Sequence, residues 1–416
     1  MIKVKGGYGM ISKNAKNAII LGTLCSVAYF AVYIARNVLG AVTPDMLEGG
    51  MTLEYIGRIS SVYLFAYAVG QLINGFIGDY LKAKYMVCLG LFLAGISGFA
   101  FVRFASAEGI ATVVYGIMGF SLSMIYGPMV KAVSDSTSLK YATRCSIGYT
   151  FASFFGSPAA GLFATYMSWE RTFNLSSAVL VIMAAVCFVC FVIFEKNGIV
   201  KYSQKSKTGG TARKDYRVLL KRHVVKFALI SALTGVVRTS FVALLTTYFV
   251  EHLAYGKTEA TSLFSTATLI ISFTTFIAIF FYERVHENVH LCTLVFFSLA
   301  ALCFGSLLFV KASVLNVVIT VIAIMASNAA ATMLWSVYCP SLCDTGLVSG
   351  ITGALDFLSY ASAALASLLI PIVKARLGWR SIIAILFVLM AIGVIISIPY
   401  FITKKHTQIK KGEEPA

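Results

Sequence analysis

Charge is what this sequence has least of: 12% of its 416 residues are Asp, Glu, Lys or Arg, against 59% that are hydrophobic. A soluble globule of that length needs far more charge to cover its surface, so the composition points to a membrane protein. Acid is scarcer than base, with 17 Asp and Glu against 34 Lys and Arg, a formal charge of +17. Nucleic-acid binding is the usual suspicion for such an excess, but its distribution argues otherwise. Residues 1–16 hold four Lys and no acid, residues 196–222 hold nine Lys or Arg against Asp215, and residues 403–416 hold four Lys against two Glu. Base packed into short segments beside apolar stretches is the positive-inside pattern, which places both ends and the central loop in the cytoplasm. Each half then crosses the membrane an even number of times. Histidine is also rare, at five residues. The basic lead MIKVKGGYGMISKNAK lacks a small-residue cleavage site, and the apolar run after it is long for a signal peptide, so it reads as the start of an uncleaved first span.

What is abundant is long apolar segments. A helix needs about 20 residues to cross about 30 Å of hydrocarbon. Polar breaks delimit twelve such segments, at 17–42, 55–81, 85–104, 109–134, 143–167, 172–195, 223–250, 259–282, 289–310, 313–338, 346–373 and 379–402. Six lie on each side of KNGIVKYSQKSKTGGTARKDYRVLLKR, a basic linker with Gly209 and Gly210 at its middle. The expected architecture is an all-α membrane protein of two six-helix bundles at 1–195 and 223–402, joined by a cytoplasmic loop at 196–222 and ending in a cytoplasmic tail at 403–416. The halves echo each other: MSWERTF and LGWRSII place Trp169 and Trp379 before spans six and twelve, and Arg36 and Arg238 fall in spans one and seven. Weak similarity at one offset is what duplicated bundles would leave, with the functional site between them.

A charge at the centre of a span costs about 2.5–3.5 kcal/mol on insertion scales, so it faces a cavity or a partner. Arg238, in LTGVVRTSFVALLTTYFV, has about 18 Å of helix on either side and cannot snorkel easily. It is either a functional cation or half of a structural ion pair. Arg36, in YFAVYIARNVLGAVTP, would by itself merely end a span, but its equivalence with Arg238 brings both guanidiniums to one axis from opposite halves. Two such cations repel in a low dielectric and need a counter-charge. Phosphate suits them, because each planar fork donates two hydrogen bonds to its oxygens.

Other polar residues at depth are ambiguous. Lys131, in YGPMVKAV, either lines the pathway or snorkels, and Asp356, in ITGALDFLSY, is a proton site, a counter-ion to Arg238 or a structural partner. Tyr29, Tyr33, Tyr67, Tyr149 and Tyr360 either offer hydroxyls or pack. Cys187 and Cys190 form a CxxC inside one apolar run, where thiols are ordinarily small core residues. HENVH at 286–290 matches H-E-x-x-H, a zinc-protease signature. It lies in a short polar break, with no obvious third ligand among the three other histidines, so a polar turn is the expectation. No cofactor or metal and no enzyme activity is expected.

These residues resemble a known family. Twelve spans, a basic central loop and GFIGDYLKAK, with Gly75, Asp79, Lys82 and Lys84, resemble the loop signature G-x-x-x-D-R-x-x-x-R/K of the major facilitator superfamily, with Tyr80 in place of the usual Arg. YIARNVLGAVTPDMLEGG, AYAVGQLINGFIGD and GVVRTSFVALLTTYFVEHL are similar to the organophosphate:phosphate antiporters, the sugar-phosphate permeases. The resemblance implies that Arg36 and Arg238 bind phosphate at a cavity apex and that the 75–84 loop gates. Two departures stand out: Gln71 replaces a Lys often found in span two, and span five carries no His where glycerol-phosphate antiporters have one.

The expected function is exchange of a phosphorylated small organic anion for inorganic phosphate by alternating access. The expected substrate-binding set is Arg36, Arg238, Gln71, Lys131, Tyr33, Tyr67, Tyr149 and Asp356, in a multi-pass inner-membrane protein that works as a monomer. Proton-coupled uptake of a sugar acid or another carboxylate, and a transporter-like sugar-phosphate sensor, are the alternatives.

Overall fold

The computed structural model describes residues 13–77, 81–137, 139–200, 223–339, 341 and 348–412, and all regular structure among them is helical. Lipid offers the backbone no hydrogen bonds, so a chain crossing it satisfies each peptide group within its own helix. The first half comprises α1 (Lys13–Glu48), α2 (Leu53–Ile77), α3 (Ala83–Phe104), α4 (Glu108–Ser123), α5 (Tyr126–Ser136), α6 (Leu139–Tyr166) and α7 (Trp169–Lys196). The second comprises α8 (Val224–Gly235), α9 (Leu245–Glu251), α10 (Lys257–Ser272), α11 (Thr274–Arg284), α12 (Val289–Leu307), α13 (Ser313–Thr332) and α14 (Val348–Gly412). Two π-helical turns interrupt it, at Val236–Phe241 after α8 and at Met333–Tyr338 after α13.

Ten described stretches are long and apolar enough to cross a membrane. One of them, Ile351–Ile398 at 48 residues, is long enough to cross twice and is broken at Gly378, whose φ of 75° a side chain would strain. Counting it as two and adding the 28-residue α6 gives twelve. Within the first half α1 packs on α6 and α7, α2 on α4, and α3 on α4 and α7. Within the second, α8 and α12 pack on α14, and α12 on α13. The halves meet along α2–α14, α6–α10 and α1–α9.

The first span does not end near residue 42 as its polar break suggests; α1 continues to Glu48 through Pro44. Proline has no N–H, so the carbonyl four residues back, that of Gly40, loses its helical donor. Thr246 of α9 supplies one, its Oγ1 donating to the Gly40 carbonyl across the seam. Pro371 in α14 frees the Ser367 carbonyl in the same way, and an added Cβ at Gly57 of α2 would stand 2.5 Å from that oxygen. On the third contact, Ser265 of α10 donates to the carbonyl of Pro158 in α6 at 2.7 Å. Three prolines inside helices thus stand at contacts between the two halves.

All three contacts lie away from the central loop, and the same end carries ion pairs. Asp45, near the end of α1, accepts the backbone N–H of Trp169 at 2.6 Å, and Glu251, at the end of α9, accepts Trp379 Nε1–H at 2.8 Å. Each tryptophan of the repeat thus meets an acid, Trp169 through its backbone N–H and Trp379 through its indole. The two copies then differ. Lys374 pairs with Glu251 inside the second half at 2.7 Å, whereas Lys257 of α10 reaches across to Asp45 and to Glu48 of the first half. At the central-loop end, the polar contacts described join elements of one half: Lys82 and Lys84 to Glu195 of α7, and Lys226 of α8 to His290 of α12. Among the described residues, an ion pair thus latches the halves together at the end away from the central loop.

Candidate functional site

Between the halves lies a cavity of about 460 Å³. Arg238 enters it from the π-helical turn Val236–Phe241, and Trp335 from the turn Met333–Tyr338. A π turn inserts a residue into the helical ladder and re-aims the side chains it carries. The two turns aim at each other: the Arg238 guanidinium sits 5.9 Å from the Trp335 ring centroid. Arg238 makes no hydrogen bond or ion pair with a described residue, so its fork stays available to a ligand.

Arg36 enters from α1 and is held differently. Its Nη1 donates to Tyr67 Oη at 3.2 Å and its Nη2 to Tyr360 Oη at 2.8 Å, while the rings of Tyr67, Tyr33 and Tyr360 surround its Cζ at 4.6, 5.1 and 5.4 Å. Each such cation–ring contact contributes about 0.5–2 kcal/mol, which offsets part of the cost of a buried guanidinium. Because Tyr360 belongs to α14, Arg36 bridges the seam. Gln71 Nε2 also donates to Tyr67 Oη, at 2.7 Å.

Asp356 lines the cavity within Coulomb reach of both arginines, yet makes no ion pair within 4 Å with either among the described residues. The described wall therefore carries two cations and one carboxyl, a formal +1 with Asp356 ionised. A direct ion pair would have closed Arg238 off; the observed arrangement leaves an electropositive space between the halves.

Of the residues expected from sequence to bind substrate, Arg36, Arg238, Gln71, Tyr33, Tyr67 and Asp356 line this cavity, together with Tyr29 and Tyr360. Lys131 and Tyr149 are not among the residues that line it. Tyr126 reaches the wall from α5, and five residues further on a helix turns by about 140°, so half-buried Lys131 leaves that face. Tyr149 packs one layer behind, its ring 6.0 Å from Tyr29 and 6.2 Å from Tyr126. Of the expected gating loop, Gly75 lies in the last turn of α2, Lys82 and Lys84 bind Glu195, and Asp79 lies outside the described residues, as do residues 201–222 of the central loop.

The zinc motif dissolves. His286 and Glu287 both have φ of 54°, a turn rather than a helix, so the two histidines do not share a helical face, and no metal-binding group of His, Cys, Asp or Glu occurs among the described residues. Cys187 is buried in the core and Cys190 is partly buried beside it, both as free thiols.

Sequence reasoning missed Trp335, Asn328 and Tyr63, all on the wall. A signal existed: Asn328, Ala331, Thr332 and Trp335 recur at three- and four-residue spacing, one face of a helix in an otherwise apolar span.

Two six-helix bundles around a polar cavity at their seam are the architecture of a membrane transporter. Residues 25–367 match the Major Facilitator Superfamily, and the chain belongs to that family. It is accordingly a transporter rather than an enzyme. Solved structures bear out the fold at low identity. A D-xylose-proton symporter superposes with a TM-score of 0.69 at 10% identity, covering 93% of this chain and 97% of that one. The nucleoside transporter NupG gives 0.71 at 13%, covering 92% and 100%. A bacterial homolog of the human lysosomal transporter Spinster, inward-facing and occupied, gives 0.70 at 14%, covering 93% and 97%. Similarity to curated sequences is partial. The probable sulfoacetate transporter SauU of Cupriavidus necator is 27% identical over 127 residues, 30% of this chain and 26% of that protein. The membrane sensor protein UhpC of Salmonella typhimurium is 26% identical over 76 residues, 18% of this chain and 17% of that protein. The matched stretches thus span 26% and 17% of those relatives.

Proposed function

We propose that this transporter carries a small organic anion bearing a phosphate group and exchanges it for inorganic phosphate. The observation that supports the reading is that Arg36 and Arg238, one from each half, line one cavity. With the cavity empty their repulsion resists closure around it; a phosphate engages Arg238's open fork, draws Arg36 toward itself and favours the occluded state. Exchange is then coupled because the loaded forms cross readily. Read with the basic loops, the end away from the latch faces the cytoplasm, the membrane is the inner one, both termini are cytoplasmic, and one chain suffices. Lys82 and Lys84, pinned to Glu195, would move with the first half during rocking.

A second reading has its own observation. Asp356 shares the wall with both arginines, as a proton-coupled anion carrier would require, and sulfoacetate, the substrate in SauU's name, is also an anion. The deciding experiment is uptake of labelled phosphate into phosphate-loaded proteoliposomes, competed with phosphate esters, sulfonates and carboxylates. Saturable self-exchange supports the first reading. Uptake driven by a pH gradient alone, with no need for internal phosphate, overturns it in favour of the second.

A further inference from the structure

Two polar groups on the cavity wall are buried without a hydrogen-bond partner among the described residues: Tyr63 Oη of α2 and Asn328 Oδ1 of α13. Most such buried groups are paired, because an unmet donor or acceptor loses its water without recompense. Other wall side chains show the ordinary pattern: Thr268 and Thr332 each donate to the carbonyl one turn back in their own helix.

The two groups come from opposite halves, as the arginines do, and stand at a different depth. Tyr63 lies one turn before Tyr67, which holds Arg36, so it is about 6 Å further along α2. Asn328 lies two turns before Trp335, which faces Arg238, so it is about 10 Å further along α13. Both helices start at the latched end, so both displacements point the same way. Tyr63 and Asn328 therefore stand nearer the latched end than Tyr67 and Trp335, the residues that meet the arginines, and add a phenol and a carboxamide to the wall. Tyr63 is 5% exposed, and its ring is wedged between Tyr67 and Tyr115 at 6.4 and 5.0 Å, so its hydroxyl is not free to swing elsewhere.

We infer that Tyr63 and Asn328 form a second subsite that selects ligands by a hydroxyl on their organic part, while the arginines take the anionic end. A hydroxyl both donates and accepts, so it satisfies the Asn328 carboxamide in either orientation of its amide, and the Tyr63 phenol as well. A plain alkyl chain would leave both groups unmet and is selected against for the same reason. The inference rests on the anion reading above but assigns different residues.

The test uses the full chain in proteoliposomes, with labelled phosphate exchange competed by glycerol phosphate and by propyl phosphate. The wild type is expected to prefer glycerol phosphate by about tenfold, the effect of one well-made hydrogen bond. Asn328→Leu and Tyr63→Phe are each expected to shrink that preference several-fold while half-inhibition by propyl phosphate and by phosphate itself stays within about twofold. Unchanged preference in both variants overturns the inference, and so does parallel weakening of all three competitors, which marks general damage. If the wild type exchanges no phosphate, the phosphate-exchange reading is what has failed. The subsite is then read by thermal stabilisation with 2-hydroxyethanesulfonate against ethanesulfonate, where equal shifts in wild type and variants overturn it.

Discussion

Removing the ammonium of Lys257 should release the latch between the halves. Lys257 bonds Asp45 and Glu48 across the seam. Glu48 is 65% exposed, so its share is close to nothing; Asp45 is 20% exposed and already oriented by the Trp169 N–H, so its pair with Lys257 carries the effect. Partly exposed pairs contribute about 1 kcal/mol at most, so Lys257→Met should shift the ratio of latched to unlatched molecules about fivefold toward the unlatched form. The reporter is electron–electron distance between spin labels at Glu54→Cys and Glu259→Cys, both exposed and on opposite halves, in a background without other reactive cysteines. Lys374→Met is the internal control, because its partner Glu251 lies in the same half. The reasoning fails if Lys257→Met leaves the distance distribution unchanged, or if Lys374→Met shifts it equally. Salt should mimic the mutation weakly, since screening acts on the exposed part of the pair.

Three further outcomes follow from the same geometry. Arg238→Lys should lower phosphate exchange by about ten- to a hundredfold with protein still in the membrane, because an ammonium cannot replace a two-pronged donor; exchange at the wild-type rate would sink the proposed function. Gly57→Val should wedge the halves apart at the latched end, because an added Cβ would stand 2.5 Å from Pro371 Cγ and from the Ser367 carbonyl; the measurement is thiol alkylation at Ser60→Cys, which should accelerate, whereas Gly109→Ala, with open space around it, should do nothing. Asp356→Asn should leave phosphate self-exchange standing and abolish any uptake driven by a pH gradient; loss of self-exchange instead would make Asp356 part of the phosphate site.

The halves, the span count and the two arginines were legible because each follows from a local cost. Twenty apolar residues in a row have few places to be other than lipid, and a lone guanidinium among them demands a reason. Trp169 and Trp379 carried the repeat, and the structure gives it substance in the contacts to Asp45 and Glu251. The sequence could not say that Lys131 and Tyr149 stand off the wall, since helix rotation and layering depend on which neighbour each face meets. Nor could it say that Arg36 is caged while Arg238 is open: Tyr360 stands 324 residues from Arg36, and no local pattern relates them.

What the chain by itself determined was what must cross the membrane and what is too costly to leave there without a partner. Only the tertiary structure decided which partner each polar group found. It gave Gly40's orphaned carbonyl to Thr246, gave Lys257 to Asp45, and left polar atoms of Tyr63 and Asn328 buried without a partner among the described residues. The physical reason is range: insertion energetics act residue by residue, whereas hydrogen bonds act over about 3 Å between residues that only folding brings together.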